Sequence, residues 1–244
     1  MWGGRAPWLL LATLMSAAAA ALGMGAYLHW LPCRGQLLNG SVLAGYRLSG
    51  EFSAACLARM DSGGSFALGG RLAGDPASQP LVALALVLLA LAWTGFVAAQ
   101  RWPVTSRAVA VLPGILTGVL AAASLAQSRG SLAAGGWIAW LTVGIDLAAL
   151  LAAGVIIQHS DGTVRVGQLI GLWGIASFGW LRTLGDYAFM VGASAANWDI
   201  PPGQGFPTAL IIACCGLAAA AFGLAGGARL RNPRLPAVVS PQAS

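Results

Sequence analysis

The chain has 244 residues, of which 58% are hydrophobic and only 8% are charged. A soluble domain carries about 25% charged residues, so this composition excludes an ordinary soluble protein. The formal net charge is +6, but no basic block is dense enough, or interleaved with aromatic residues, to indicate nucleic-acid binding. A modest positive charge instead suits anionic lipid headgroups, so membrane lipids are the expected partners and nucleic acid is not.

Six long apolar segments follow one another along the chain. A helix needs about 20 apolar residues to cross a hydrocarbon core about 30 Å thick. Its backbone groups are then hydrogen-bonded within the helix, as the bilayer requires. We therefore predict an all-α, polytopic membrane protein, with residues 1–244 forming a single integral membrane domain. The six predicted spans are 8–30, 81–99, 108–127, 137–157, 167–192 and 207–228.

The first apolar segment begins like a secretory signal peptide. Arg5 precedes it, and the run Ala17–Ala21 supplies the small residues of a cleavage site. Its apolar character continues as far as Trp30, however, which is longer than the usual apolar region of a signal. We expect a retained first helix, with a cleavable signal as the alternative.

The arginines predict the orientation of the spans. All thirteen basic residues are Arg, which together with abundant Ala and Gly indicates a bacterial source. Arg5, Arg101, Arg107, Arg165 and the basic tail 229–244 fall on one side if there are six spans. Since short cytoplasmic flanks are enriched in positive charge, we expect a plasma-membrane protein with both termini and the tail in the cytoplasm.

Residues 31–79 form the one long segment between predicted spans, and this orientation places them outside the cytoplasm. Cys33 and Cys56 lie in this segment, where an oxidising environment favours a disulfide. Such a bridge contributes about 3 kcal/mol in the chain-entropy model. A redox role usually needs a Cys-x-x-Cys pair, which is missing here. We therefore predict a small disulfide-linked extracytoplasmic cap, with a short helix between Glu51 and Met60.

Pairs of glycines four residues apart place two small residues on one helix face. Such a face lets two helix backbones approach closely. Packing within the chain is the first interpretation, because a chain with 34 Gly contains such spacings by chance. A face for a partner helix is the alternative. The pairs are Gly114 and Gly118, Gly167 and Gly171, and Gly223 and Gly227.

Asp146 lies near the centre of the fourth predicted span. A central Asp costs about 2.5–3.5 kcal/mol on insertion scales, so it should face the bundle interior and have a partner. Arg182 in the fifth span is the expected partner, and Asp186 lies one turn further on the same helix face. We expect these three residues to form one intramembrane charged cluster. Two interpretations stay open: a structural ion network that sets helix register, or a site for a proton, an ion or a substrate.

No metal or cofactor site is indicated. His29 and His159 lie at the ends of predicted spans, and no acid or Cys stands beside them at metal-ligand spacing. The chain also lacks the hydrolase elbow, the zinc-protease helix, the P-loop and the dinucleotide fingerprint. We expect no cofactor and no enzymatic activity.

One short motif has an enzymatic parallel. Residues 184–187, Leu-Gly-Asp-Tyr, together with Asp146, slightly resemble the GxGD aspartyl intramembrane proteases. The resemblance implies two carboxylates sharing a water, with their pKa values split. Thr183 stands where that motif has its first Gly, and Arg182 would hold both carboxylates ionised.

The pattern therefore favours a class of protein more clearly than an activity. Abundant small-residue faces and sparse polar chemistry favour a non-enzymatic accessory or scaffolding subunit of a cell-envelope membrane complex. Its partner would be another integral membrane protein or a second copy of the chain. The alternative is a small secondary transporter or channel-like protein, proton-coupled through Asp146. We find no internal repeat and no paired broken helices, which counts against transport.

Overall fold

The structure is a computed structural model that describes residues 5–33, 53–61, 77–129, 137–194 and 202–231. Within these ranges the chain forms helices and turns and contains no strand, so the all-α class is confirmed. Two short 3₁₀ segments, Leu31–Cys33 and Ala176–Phe178, accompany the α-helices. The α-helices are α1 (Arg5–Trp30), α2 (Ala54–Asp61), α3 (Gln79–Ala98), α4 (Val104–Ala110), α5 (Leu112–Ser128), α6 (Trp137–His159), α7 (Gly162–Ile175), α8 (Trp180–Ser194) and α9 (Phe206–Arg231).

Five stretches of the described chain are long and apolar enough to cross a membrane. They are Arg5–Cys33, Gln79–Ala98, Val104–Gln127, Trp137–His159 and Phe206–Ala225, and they coincide with five of the six predicted spans. The predicted span 167–192 is not one helix. It is divided between α7, with 14 residues, and α8, with 15. Neither is long enough to cross alone, so the count of six spans is not confirmed.

Helix α1 packs against α3 on one side and α9 on the other. Its end lies beside the start of α9, where the Trp30 indole N–H donates to the Gln204 carbonyl at 2.9 Å. In the same way, the Trp93 indole of α3 donates to the Ala110 carbonyl at 2.7 Å, at the junction of α4 and α5. A buried indole N–H needs an acceptor, and these two bonds fix neighbouring helices against each other.

The predicted packing glycines are used within the chain. A Cβ added to Gly167 would lie 2.8 Å from a ring carbon of Trp8, and one added to Gly114 would lie 2.9 Å from Thr94. Gly118, Gly171 and Gly223 likewise face neighbouring side chains of this chain, at 3.6, 3.2 and 3.1 Å. Gly227 lies in α9, outside the residues whose surroundings are described. Four of the six glycines, Gly114, Gly167, Gly171 and Gly223, therefore serve close packing inside the bundle, and Gly118 is in ordinary van der Waals contact.

Cys33 and Cys56 form the expected disulfide, with their Cα atoms 4.8 Å apart. The bridge joins the 3₁₀ turn after α1 to α2, and it is buried against Trp30. Helix α2 begins after Ser53, whose hydroxyl accepts a hydrogen bond from the Cys56 amide at 3.1 Å. The rest of the predicted cap, residues 34–52 and 62–76, lies outside the described residues, and residues 77–79 lead into α3. We name the part of the bundle that carries this bridge the disulfide end.

Helices α7 and α8 together run the length of the bundle. Gly167 of α7 faces Trp8 near the start of α1, and Gly174 faces Met15 halfway along it. Further on, Asp186 of α8 bonds the start of α9 at the disulfide end. The interruption between α7 and α8 therefore lies about halfway through the bundle.

Candidate functional site: the interrupted helix and its groove

The chain stops being α-helical at Ile175 and becomes helical again at Trp180. Gly179 is extended, with φ −65° and ψ 158°, and its amide donates to the Ala176 carbonyl at 2.9 Å. The Gly179 carbonyl accepts from both the amide and the hydroxyl of Thr183, each at 3.0 Å. The first amides of α8 are left without partners inside their own helix, in the middle of an apolar bundle.

Asp146 of α6 caps the start of α8. Its Oδ2 accepts a hydrogen bond from the Leu181 amide at 2.9 Å, and the Trp180 amide is a further donor to this carboxylate. A helix is normally capped by the side chain of its own N-cap residue, but here that residue is Gly179, which has none. A carboxylate also suits the positive end of the helix dipole. Asp146 therefore satisfies amides that would cost several kcal/mol unpaired in hydrocarbon.

Gly179 leaves the space that this cap occupies. A Cβ added to Gly179 would lie 2.7 Å from Cγ of Asp146 and closer still to its Oδ1. It would also lie 3.1 Å from the Ala176 carbonyl oxygen. The carboxylate from α6 thus stands where a side chain of residue 179 would stand, and the interruption and the cap depend on each other.

Asp186 does the same for α9. Its Oδ2 accepts from the Gly205 amide at 3.0 Å and from the Thr208 hydroxyl at 2.7 Å, and the residue is only 4% exposed. The turn before α9 needs glycine, because Gly203 and Gly205 have φ of 93° and 98°. Both acids predicted as parts of a charged cluster are thus bound to the start of a following helix.

Arg182 does not form the predicted ion pair with Asp146. Among the described residues its guanidinium makes no hydrogen bond and no ion pair. Its Nε is buried without a partner, and its Cζ lies 5.7 Å from the ring centroid of Trp173. Asp186 is close enough to attract it electrostatically. The pairing differs from the expectation because the unpaired amides of α8 are donors that compete for the Asp146 carboxylate.

A groove of about 1260 Å³ lies between α1, α8 and α9. Its wall extends along α1 from Ser16 to Trp30 and continues to Leu31 in the 3₁₀ segment. The groove therefore occupies the half of the bundle toward the disulfide end. The lining is almost entirely apolar, and its charged members are Arg182 and Asp186. Gly185, between them, leaves the wall open, since a Cβ added there would have no atom within 4 Å.

The described residues show no site for a metal ion. No three His, Cys, Asp or Glu side chains within the described ranges are close enough together to hold one. His159 and Ser106 share one hydrogen bond of 2.8 Å, and His29 is buried beside Trp30. Asp146 and Asp186 bind different helix starts, which is not the shared-water arrangement that the protease resemblance implies.

Two features escaped the sequence reasoning: the interruption at 176–179 and the groove beside it. The available signal was length, because the apolar stretch that holds α7 and α8 is longer than the roughly 20 residues that one crossing needs. A Gly in the middle of that stretch was the second signal. No known protein family, characterised protein or solved structure matches this chain.

Proposed function

We propose that this chain is a non-enzymatic accessory or scaffolding subunit of a membrane complex in the bacterial cell envelope. The observation that carries this proposal is the use of both intramembrane acids as helix caps. A carboxylate committed to backbone amides holds helices in place and is poorly suited to exchanging protons. The charged residues of the spans then serve a rigid fold that can present its outer faces to a partner.

In this proposal α7 and α8 form a sixth, interrupted crossing of the plasma membrane. The support is their course along the bundle, from Trp8 near one end to the start of α9 at the other. An even number of crossings puts both termini on one side, together with Arg101, Arg107 and Arg165. Positive charge on short flanks favours the cytoplasm for that side. The disulfide end then faces the oxidising side, where a disulfide is stable.

The outer face of α6 is the best candidate for contact with a partner protein. Only 28% of its most apolar stretch is buried, against 39–56% in the other four candidate spans. Leu147 and Leu151 are 58% and 57% exposed, one turn apart on this face. Because the packing glycines are used inside the bundle, a partner helix would have to use side chains such as these.

The test is purification of the tagged chain from its native membrane in mild detergent, with the stoichiometry of co-purifying proteins measured. We expect an integral membrane protein near a one-to-one ratio, or a homo-oligomer of defined size. Replacing Leu147 and Leu151 with Ala should lower that recovery. The matched change of Leu84 and Leu91, which are 47% and 55% exposed on α3, should leave it intact. A clean monomer from the unaltered chain would refute the proposal.

The second candidate is a small transporter, and the interruption in the α7–α8 pair favours it. Discontinuous helices often form transporter sites near the bilayer midplane. An Asp146→Asn change separates the two functions, because Asn caps a helix about as well as Asp but carries no titratable proton. Proton-coupled transport should be lost in that variant while the fold stays intact. A scaffold should keep both its stability and its partner.

A further inference from the structure

Arg182 is a cation that lacks an acceptor. A guanidinium carries five N–H donors in a fixed fork. In the described structure those donors meet only the face of Trp173 and the electrostatic attraction of Asp186. An Arg at the centre of a span costs about 2.5–3.5 kcal/mol on insertion scales, and intramembrane charges normally find a partner. In the described structure Arg182 therefore lacks a hydrogen-bond acceptor for its guanidinium.

Asp186 does not complete it. The Oδ2 atom of Asp186 is committed to Gly205 and Thr208, and its Oδ1 atom is buried without a hydrogen-bond partner. Within the described structure no hydrogen bond joins either oxygen to Arg182 one turn away, although Asp186 attracts it electrostatically. The Arg182 side chain is partly exposed and faces the groove between α1, α8 and α9. An acceptor that satisfies the guanidinium can therefore approach it from the groove.

The shape and polarity of the groove indicate what the rest of the ligand is. Its lining is apolar apart from a few residues, and its volume of about 1260 Å³ exceeds the roughly 300–1,000 Å³ of common small-molecule sites. The wall on α1 extends from Ser16 to Trp30, which is about 21 Å at the rise of an α-helix. An elongated hydrocarbon chain with one compact acceptor at its head fits this shape and polarity.

We propose that the groove binds a single-chain amphiphile with a carboxyl head, of the long-chain fatty-acid class, and that Arg182 binds the head. The carboxylate matches the fork of the guanidinium and can accept two of its N–H donors. The pair gives the guanidinium the hydrogen-bond acceptors that it lacks in the described structure, and the hydrocarbon chain packs along the small and apolar walls. Gly185 leaves room in the groove wall, since a Cβ added there would have no atom within 4 Å.

The test uses purified protein in detergent micelles with two probes, oleic acid and methyl oleate. They have the same chain, but only the acid carries an ionisable head. We expect saturable binding of oleic acid and weaker binding of the ester. Arg182→Gln should lower the affinity for oleic acid by about 10- to 100-fold, the range for the loss of a hydrogen bond to a charged group. The same change should leave the ester unaffected.

Three further variants keep the result interpretable. Arg165→Gln removes a partly exposed Arg that pairs with Asp161 outside the groove, and this variant should bind both probes normally. Gly185→Leu places a side chain in open space within the groove and should lower the affinity for both probes. If Arg182→Gln does not fold, Arg182→Lys takes its place, because Lys keeps the charge but loses the fork of donors. Arg182→Lys should lower the affinity for oleic acid to a smaller extent.

Two results would overturn the proposal. The first is oleic acid binding that is absent, or that is equal in the unaltered chain, Arg182→Gln and Gly185→Leu. The second is a co-purified membrane protein that is released by Arg182→Gln while neither probe binds, because the groove would then hold a helix instead of an amphiphile.

Discussion

Replacing Gly179 with Ala should disrupt the junction of α7 and α8. The new Cβ would lie 2.7 Å from Cγ of Asp146, inside the space that the cap of α8 requires. The carboxylate must then move, which forfeits a cap of about 0.5–2 kcal/mol. Forcing a methyl group into a packed site costs about 1–3 kcal/mol more. We expect the free energy of unfolding to fall by about 1.5–5 kcal/mol, measured by denaturant unfolding in micelles.

A double-mutant cycle with Asp146→Ala tests the reason for that loss. Once the carboxylate is removed, Gly179→Ala should cost much less, so the two changes should be coupled by about 0.5–3 kcal/mol. Gly154→Ala in α6 is the control, because a Cβ there would have no atom within 4 Å. It should change stability by no more than about 0.5 kcal/mol. Additive effects of Gly179→Ala and Asp146→Ala would refute the reasoning.

Three further predictions use the same unfolding assay. Asp186→Ala leaves a backbone amide and a hydroxyl of α9 unpaired and should cost about 1–3 kcal/mol; unchanged stability would show that the cap contributes nothing. Gly167→Ala meets two aromatic rings within 3.0 Å and should cost about 1–3 kcal/mol, whereas Gly118→Ala, with 3.6 Å to its nearest neighbour, should be nearly neutral. Cys33→Ala should lower the free energy of unfolding by about 3 kcal/mol, because it removes the bridge to Cys56. Alkylation of the denatured, unaltered chain should modify two cysteines before reduction and four after it. Modification of all four before reduction would show that the bridge does not form.

Hydropathy was enough to predict the all-α class and five of the spans, because crossing a bilayer requires a long apolar run and little else. It could not reveal the interruption, since Ala176–Phe178 is as apolar as its surroundings. The break depends on Asp146, which lies 35 residues before the amide that it binds. No local pattern in α7 or α8 reports a carboxylate that arrives from α6.

The sequence was enough to predict which residues belong to the candidate site, but not which groups they contact. Asp146, Arg182 and Asp186 stood out because charge is costly in a membrane, and that argument needs only the sequence. Their partners were predicted among side chains, where opposite charges are visible. The structure pairs both acids with helix starts instead, and backbone amides have no sequence signature. Cys33 and Cys56 were simpler, because the described pair lies in one segment with no competing cysteine.

The two caps also give the chain a direction of assembly. Asp146 precedes the helix whose start it binds, and Asp186 precedes α9 in the same way. Because a chain is made from its N-terminus, each carboxylate is synthesised before the amides that it binds. Helix α8 gains its cap only once α6 is in place, and α9 gains its cap only after α8. Synthesis order and docking order therefore coincide across the last third of the protein.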